Sequence, residues 1–221
     1  MEQPIEKEHL EKSGPSWLNY LWWLYLGMHF FGMLGISLEV SREWFLQLTP
    51  LTLGLGTFLV FWHIRASAKN MILFVFLALL GWGIEVVGVS TGKIFGTYAY
   101  QEALGPKILE VPPTIGFNWA ILVVLFSSFF PNNWKNIPRA LGIGLLMTGL
   151  DAIIEPLCCF LNFWCWNDGG PGWKNFAAWA ILGSIMGWIW VKFSVENENA
   201  SVFKKMTWVQ IAFFVGLLLL N

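Results

Sequence analysis

The sequence predicts an all-α fold, a polytopic membrane bundle of seven transmembrane helices, and three observations carry that prediction. Of 221 residues, 56% are hydrophobic and 12% charged, too little polar surface to cover a soluble domain of this size. The apolar residues fall into separate runs of roughly 20, the length that crosses a hydrocarbon core about 30 Å thick. Short polar or proline-bearing breaks divide the runs.

Residues 1–16, with Glu2, Glu6, Lys7, Glu8, Glu11 and Lys12, read as a cytoplasmic N-terminal segment, and 17–221 as a single integral-membrane helical domain. No small-residue cleavage site follows the first apolar run, so no removable signal peptide is expected. The spans fall at about 17–38, 44–64, 70–91, 114–130, 137–160, 173–193 and 203–220. The seventh is short unless Lys204 and Lys205 snorkel at its start. Pro131-Asn132-Asn133 stops the fourth span, and Asn136 with Pro138 opens the fifth as cap and early-turn proline.

Sidedness follows from the basic residues. Lys7, Lys12, Arg65, Lys69, Lys135, Arg139, Lys192, Lys204 and Lys205 fall on one side; Arg42, Lys93, Lys107 and Lys174 fall on the other, which accounts for all 13. Positive-inside places the N-terminus in the cytoplasm and the C-terminus outside. The expected location is a bacterial inner (cytoplasmic) membrane. The net charge of −1 gives no electrostatic footprint for nucleic acid.

On the outer side, residues 92–113 form a connection far longer than the usual 4–6 residues. Its Gly92, Gly96, Gly105, Pro106, Pro112 and Pro113 suit a lid, a short helix or a re-entrant binding segment. The 161–172 loop, with Trp164 and Trp166, faces the same way. Trp17, Trp44, Trp62, Trp134, Trp173 and Trp208 sit near span ends as interfacial anchors. The interior Trp82, Trp119 and Trp179 suit either core packing or a slot for a flat conjugated ligand. Cys158, Cys159 and Cys165 read as buried apolar thiols rather than a metal or redox site.

The polar residues inside the spans converge. Glu85 lies about two turns before the outer end of span three, and Asp151 and Glu155 lie in the outer half of span five. Asn118 lies one turn below the outer surface on span four. Carboxylates at bilayer depth cost roughly 2.5–3.5 kcal/mol each on insertion scales, so three at one level point to a purpose. Asp151 and Glu155, at i and i+4, share a face with Thr148 and Gly144. Glu85 belongs to the small-residue stripe Gly81, Glu85, Gly88, Gly92, which marks the side a neighbouring helix approaches. Pro156 is expected to kink span five and free a backbone carbonyl. Like charges this close in low dielectric do not all ionise, and a neutral carboxyl beside an ionised one is an acid–base pair. A structural hydrogen-bond cluster and a proton or ion pathway are the competing readings. His29, mid-span in the first helix, is either structural or a neighbour of this site; His63 lies at the far end of span two. No Gly-rich phosphate loop, zinc motif or dinucleotide fingerprint appears, so chemistry without metal or cofactor is expected.

The run from Glu85 through Gly88, Thr91, Gly92, Phe95, Gly96 and Tyr98 to Tyr100, then Asn118-Trp119, then Asp151-Ala-Ile-Ile-Glu155-Pro156 with Trp164 and Trp166, resembles the membrane carotenoid-biosynthesis family. That family contains the CruF-type carotenoid hydratases, bisanhydrobacterioruberin hydratases among them. The resemblance covers about residues 70–195. It extends distantly to the membrane lycopene cyclases, whose acidic motif sets two glutamates side by side after a proline; here Glu155 precedes its proline and has no adjacent Glu. The resemblance implies hydration of the terminal C1=C2 bond of an acyclic (ψ) carotenoid end group, as in lycopene or γ-carotene. The alternatives are a cyclase-like isomerase and a non-enzymatic carotenoid-binding or proton-coupled transport protein. Expected partners are the lipid-soluble carotenoid, membrane lipid and other carotenoid enzymes. Asp151 is expected to donate the proton, because it lies deepest and loses most by ionising. Glu155 would orient or activate water, and Glu85 would hold the network with Asn118 as a neutral hydrogen-bond partner. Tyr98, Tyr100 and Trp119 would surround the end group, with Thr91, Thr148, Trp166 and His29 as further substrate contacts.

Overall fold

Each apolar run becomes helical, the second of them as two helices, and the breaks between runs become the connections. The computed structural model describes residues 15–195 and 199–221; most of the N-terminal 1–16 segment lies outside the described residues. The helices are α1 (Ser16–Ser37), α2 (Arg42–Leu46), α3 (Thr49–Ile64), α4 (Ala68–Thr91), α5 (Pro113–Ser127), α6 (Asn136–Ile154), α7 (Trp173–Phe193) and α8 (Ala200–Leu220). Two three-residue strands, β1 (Tyr98–Tyr100) and β2 (Trp164–Trp166), pair antiparallel. The architecture is an all-α bundle with a small two-stranded ribbon.

Among the described residues, five segments are long and apolar enough to cross a membrane: Arg42–Ile64, Ala68–Thr91, Asn136–Leu157, Trp173–Phe193 and Ala200–Leu220. Helix α1 has the length but is rich in Trp, Tyr and polar residues, which lowers its hydropathy. Helix α5 has only 15 residues, about 22 Å at 1.5 Å per residue. It is buried continuously from Trp119 to Phe126, as a helix apolar all round must be, and it sits at the centre against α3, α4, α6, α7 and α8.

Several boundaries differ from the sequence reading. The 44–64 span is two helices, because Pro50 lies in the first turn of α3 and cannot continue α2. The fourth span ends at Ser127 rather than 130; tight turns carry Ser128, Phe129 and Phe130 to Pro131. Asn136 is the first residue of α6 and Lys135 its cap, with no side-chain capping bond. The fifth span does not kink and continue to 160. Pro156 ends the α-helix, and Glu155–Leu157 form one 3-10 turn. The last helix begins at Ala200 and has 21 residues, so it is not short.

Hydrogen bonds identify which ends lie together. At one end, the Asn70 amide donates to the Val195 carbonyl (3.0 Å) and accepts from its N–H (2.8 Å), while Asn199 donates to the His63 carbonyl (2.8 Å). At the other end, Asn221 donates to the Ser37 hydroxyl (3.3 Å), and β1 joins β2. Among the described residues, the long 92–113 connection forms no lid helix before α5 begins at Pro113. It gives up three residues to the ribbon, then makes a tight reversal at Leu109 and Glu110, both with positive φ (52° and 65°), closed by Ile108 and Val111.

The ribbon is fastened by a Cys159–Cys165 disulfide, which corrects the reading of three free thiols; Cys158 alone is free and buried. The predicted anchors Trp17, Trp44, Trp134, Trp173 and Trp208 are exposed, and Trp62 lies under the Arg65 guanidinium at 3.4 Å.

Candidate functional site

Helix α4, helix α6 and the 3-10 turn that follows α6 bring three carboxyl groups to the ribbon end of the bundle. Glu85, Asp151 and Glu155 are 3%, 2% and 7% exposed, and all three accept hydrogen bonds from buried donors.

Glu85 is held by three donors. The Tyr98 and Tyr100 hydroxyls donate to Oε2 at 2.5 and 2.9 Å, and the Trp119 indole N–H donates to Oε1 at 2.9 Å. The small-residue stripe makes this possible. A Cβ on Gly81 would stand 2.7 Å from the Trp119 Cβ, and one on Gly88 2.6 Å from the Phe95 ring. Burial, and then the adjacent Glu85 carboxylate, push the Tyr98 and Tyr100 hydroxyls far above the ordinary phenol range. Both therefore stay protonated as donors.

Asp151 and Glu155, one helical turn apart, share a single amide. Asn175, in the first turn of α7, donates to Asp151 Oδ2 at 2.7 Å and to Glu155 Oε1 at 3.0 Å. The Trp166 indole adds a bond to Glu155 Oε2 at 2.7 Å, and the Cys158 thiol lies 3.6 Å from the same oxygen. Asp151 Oδ1 is buried and has no hydrogen-bond partner among the described residues.

A cavity of about 530 Å³ reaches Asp151. Asn118, His29, Trp164 and Trp179 line it alongside Asp151, and the rest of its wall is almost wholly apolar. Trp23, Leu24, Phe31 and Trp44 also line it and are exposed, so the cavity opens to the surface of the bundle beside them.

The expected residues sort into three groups. Glu85, Tyr98, Tyr100, Trp119, Asp151, Glu155 and Trp166 form two adjoining networks, while Asn118 and His29 are on the cavity wall. Trp119 stands behind that wall, holding Glu85 and stacking on Trp179 at 4.0 Å and 11°, and does not line the cavity. Asn118 makes no hydrogen bond to the three carboxyls among the described residues; Asn175 takes that part. Thr91 and Thr148 do not join the site. Their hydroxyls turn back to the carbonyls of Val87 (2.6 Å) and Gly144 (2.8 Å), the usual fate of threonine within a helix. Trp82 donates to the Val111 carbonyl at 3.2 Å, a structural role.

Asn175 escaped the sequence reading. Its signal was a lone amide in the first turn of an apolar helix, just after Gly-Pro-Gly-Trp-Lys, at the level of the carboxyls. Among the described residues no group of three or more His, Cys, Asp or Glu is arranged to hold a metal ion.

The family model for carotenoid biosynthesis proteins matches residues 48–221. The chain belongs to that family. A curated relative, the bisanhydrobacterioruberin hydratase of Haloarcula japonica, is 27% identical over 121 residues, covering 49% of this chain and 40% of the relative. The chain thus spans less than half the length of that protein. No solved structure matches. Every carboxyl and donor in the two networks of this carotenoid-biosynthesis protein lies within the matched region, and His29 lies outside it.

Proposed function

We propose that this membrane protein is a carotenoid 1,2-hydratase, which adds water to the terminal C1=C2 bond of an acyclic (ψ) end group on a lycopene- or γ-carotene-like polyene. One observation carries the reading: Asp151, with a bare buried Oδ1, lies on the wall of an apolar cavity open to the surface of the bundle. A polyene dissolved in the bilayer reaches that wall without entering water.

Glu85 accepts three hydrogen bonds, Glu155 two from nitrogen and Asp151 one. On this count Asp151 is taken as the carboxyl that carries the transferable proton. The Asp151 O–H protonates C2, and the π electron pair forms the new C2–H bond. The tertiary cation left at C1 faces the rings of Trp164 and Trp179, whose π faces stabilise positive charge. The oxygen of a water bonds to C1 and gives its proton to Glu155, after which Asp151 is reprotonated. The chain's own residues supply the acid, the base and the cation-stabilising surface. The hydratase name of the relative and the lack of a paired glutamate favour capture by water over ring closure.

The same reading places seven helices across a bacterial inner membrane: α1, α2 with α3, and α4 to α8, all within the single domain 17–221. The cytoplasmic side is the α3–α4 end, where Arg65, Lys69, Lys135, Arg139, Lys192, Lys204 and Lys205 gather. The ribbon and its disulfide then face the oxidising side, where such bonds persist. Reporter fusions after residues 66 and 105 should report opposite sides; one side for both contradicts this topology. Association with other carotenoid enzymes belongs to the proposal as the route of substrate supply.

Co-expression with an acyclic carotenoid pathway tests the activity. A product heavier by one water supports the hydratase. An isomer of unchanged mass indicates a cyclase, and unaltered polyene leaves only binding or transport.

A further inference from the structure

A second, much smaller cavity lies beside the large one. Its volume is about 20 Å³, and Glu85, Tyr98, Tyr100, Glu155, Trp166 and Asn175 give it its polar lining. That is room for one water molecule, which needs at least about 10–15 Å³ and two to four polar partners. Ile115, Trp164 and Trp179 line both cavities, so these three side chains are the partition between the large chamber and the small one that the two glutamates reach.

The bonding pattern dictates how a water would sit. The donors of Tyr98, Tyr100, Trp166 and Asn175 are already committed to carboxylate oxygens. What these groups and the two glutamates still offer is acceptor capacity: carboxylate lone pairs, phenol oxygens and the Asn175 carbonyl. A water held this way points its hydrogens at those acceptors and keeps an oxygen lone pair unengaged.

We propose that this small cavity is a built site for the nucleophilic water, and that Ile115, Trp164 and Trp179 form the gate through which it meets the C1 cation. The inference rests on the hydratase reading and adds where the water is stored and how it is aimed. Glu155, which borders the small cavity, takes the proton released as the C1–O bond forms. Ile115 touches no reacting proton; it is a positioning residue that keeps water and polyene apart until the cation exists. Dry storage on one side and wet storage on the other explains how an apolar cavity performs a hydration.

The test separates proton transfer from water capture by running the reaction in D₂O with purified protein. Wild-type protein gives a hydrated product carrying deuterium at C2. Ile115→Phe crowds the partition and the small cavity, while Tyr100→Phe preserves the ring and removes one acceptor oxygen together with its hydrogen bond to Glu85. Both variants should lose hydration by roughly 100-fold, the scale of a misplaced reactant. Both should still exchange deuterium into recovered, unhydrated polyene, because Asp151 is untouched and the cation reverts by losing a proton. The Tyr100→Phe variant keeps the test alive if the larger side chain prevents folding. Hydration at the wild-type rate in either folded variant overturns the water site, as does joint loss of hydration and exchange in both. Failure of the wild-type protein to hydrate any acyclic carotenoid contradicts the proposed function itself, and the water site with it.

Discussion

Tyr98 and Trp166 face each other across the antiparallel ribbon, ring centroids 5.0 Å apart, and each gives its polar hydrogen to a different glutamate. Tyr98 serves Glu85 and Trp166 serves Glu155. A ribbon of only three residues per strand thus sets the relation between two helices' carboxylates. A slip of one residue would turn both donors to the opposite face. The disulfide ties Cys165, directly between Trp164 and Trp166 and opposite Ala99, to Cys159 in the turn that leads from α6 into β2.

Asn175 joins Asp151 to Glu155, the proposed acid and base. Asn175→Leu keeps approximate size and removes both hydrogen bonds, leaving two buried carboxyls short of a donor. Turnover should fall about 10- to 100-fold, with a stability loss of roughly 1–3 kcal/mol. Steady-state turnover and thermal unfolding in detergent check this; an unchanged rate removes Asn175 from the site.

The close approach of α4 and α5 is testable with two neighbouring glycines. Gly81→Ala forces a Cβ against Trp119 and displaces the indole from Glu85, whereas a Cβ on Gly83 meets nothing within 4 Å. Gly81→Ala should cost about 1–3 kcal/mol and reduce turnover; Gly83→Ala should leave both near wild type. Equal behaviour of the two variants, measured by thermal melts and turnover, contradicts this packing.

The depth and facing of Glu85, Asp151 and Glu155 were legible from span ends and helical phase, because a bilayer imposes length and i,i+4 spacing imposes a face. The ribbon was not legible. Tyr98-Ala-Tyr100 and Trp164-Cys-Trp166 do alternate large and small, but three residues fall below the four to eight that make a strand pattern readable. The Cys159–Cys165 bond was hidden for the same reason, since the turn that brings these residues together follows from Pro156 ending α6 two helical turns early. Thr91 and Thr148 misled because a helical threonine satisfies its own hydroxyl whatever face it occupies. Asn175 was missed because an amide in a helix's first turn is ordinary on its own. Only its partners, 20 and 24 residues back in the chain, make it notable.

Thiol chemistry checks the ribbon directly. Burial, and then the Glu155 carboxylate, push the Cys158 thiol up to about 12, so it should resist alkylation at neutral pH in the folded protein. Mass spectrometry of native, unreduced protein should find no label on any cysteine. Denaturation without reductant should expose Cys158 alone, and reductant should then expose Cys159 and Cys165. Label on Cys165 before reduction contradicts the disulfide. Cys158→Ala should be nearly silent in turnover.

The central claim is that Asp151 is the proton donor, and the conversion of an acyclic carotenoid by purified Asp151→Asn protein tests it most directly. The substitution preserves shape and removes the transferable proton, so hydration should fall by at least about 10²–10⁴-fold while the protein still inserts in the membrane and retains bound polyene. Hydration by Asp151→Asn at the wild-type rate would contradict the account and move the search for the donor to Glu85 or Glu155.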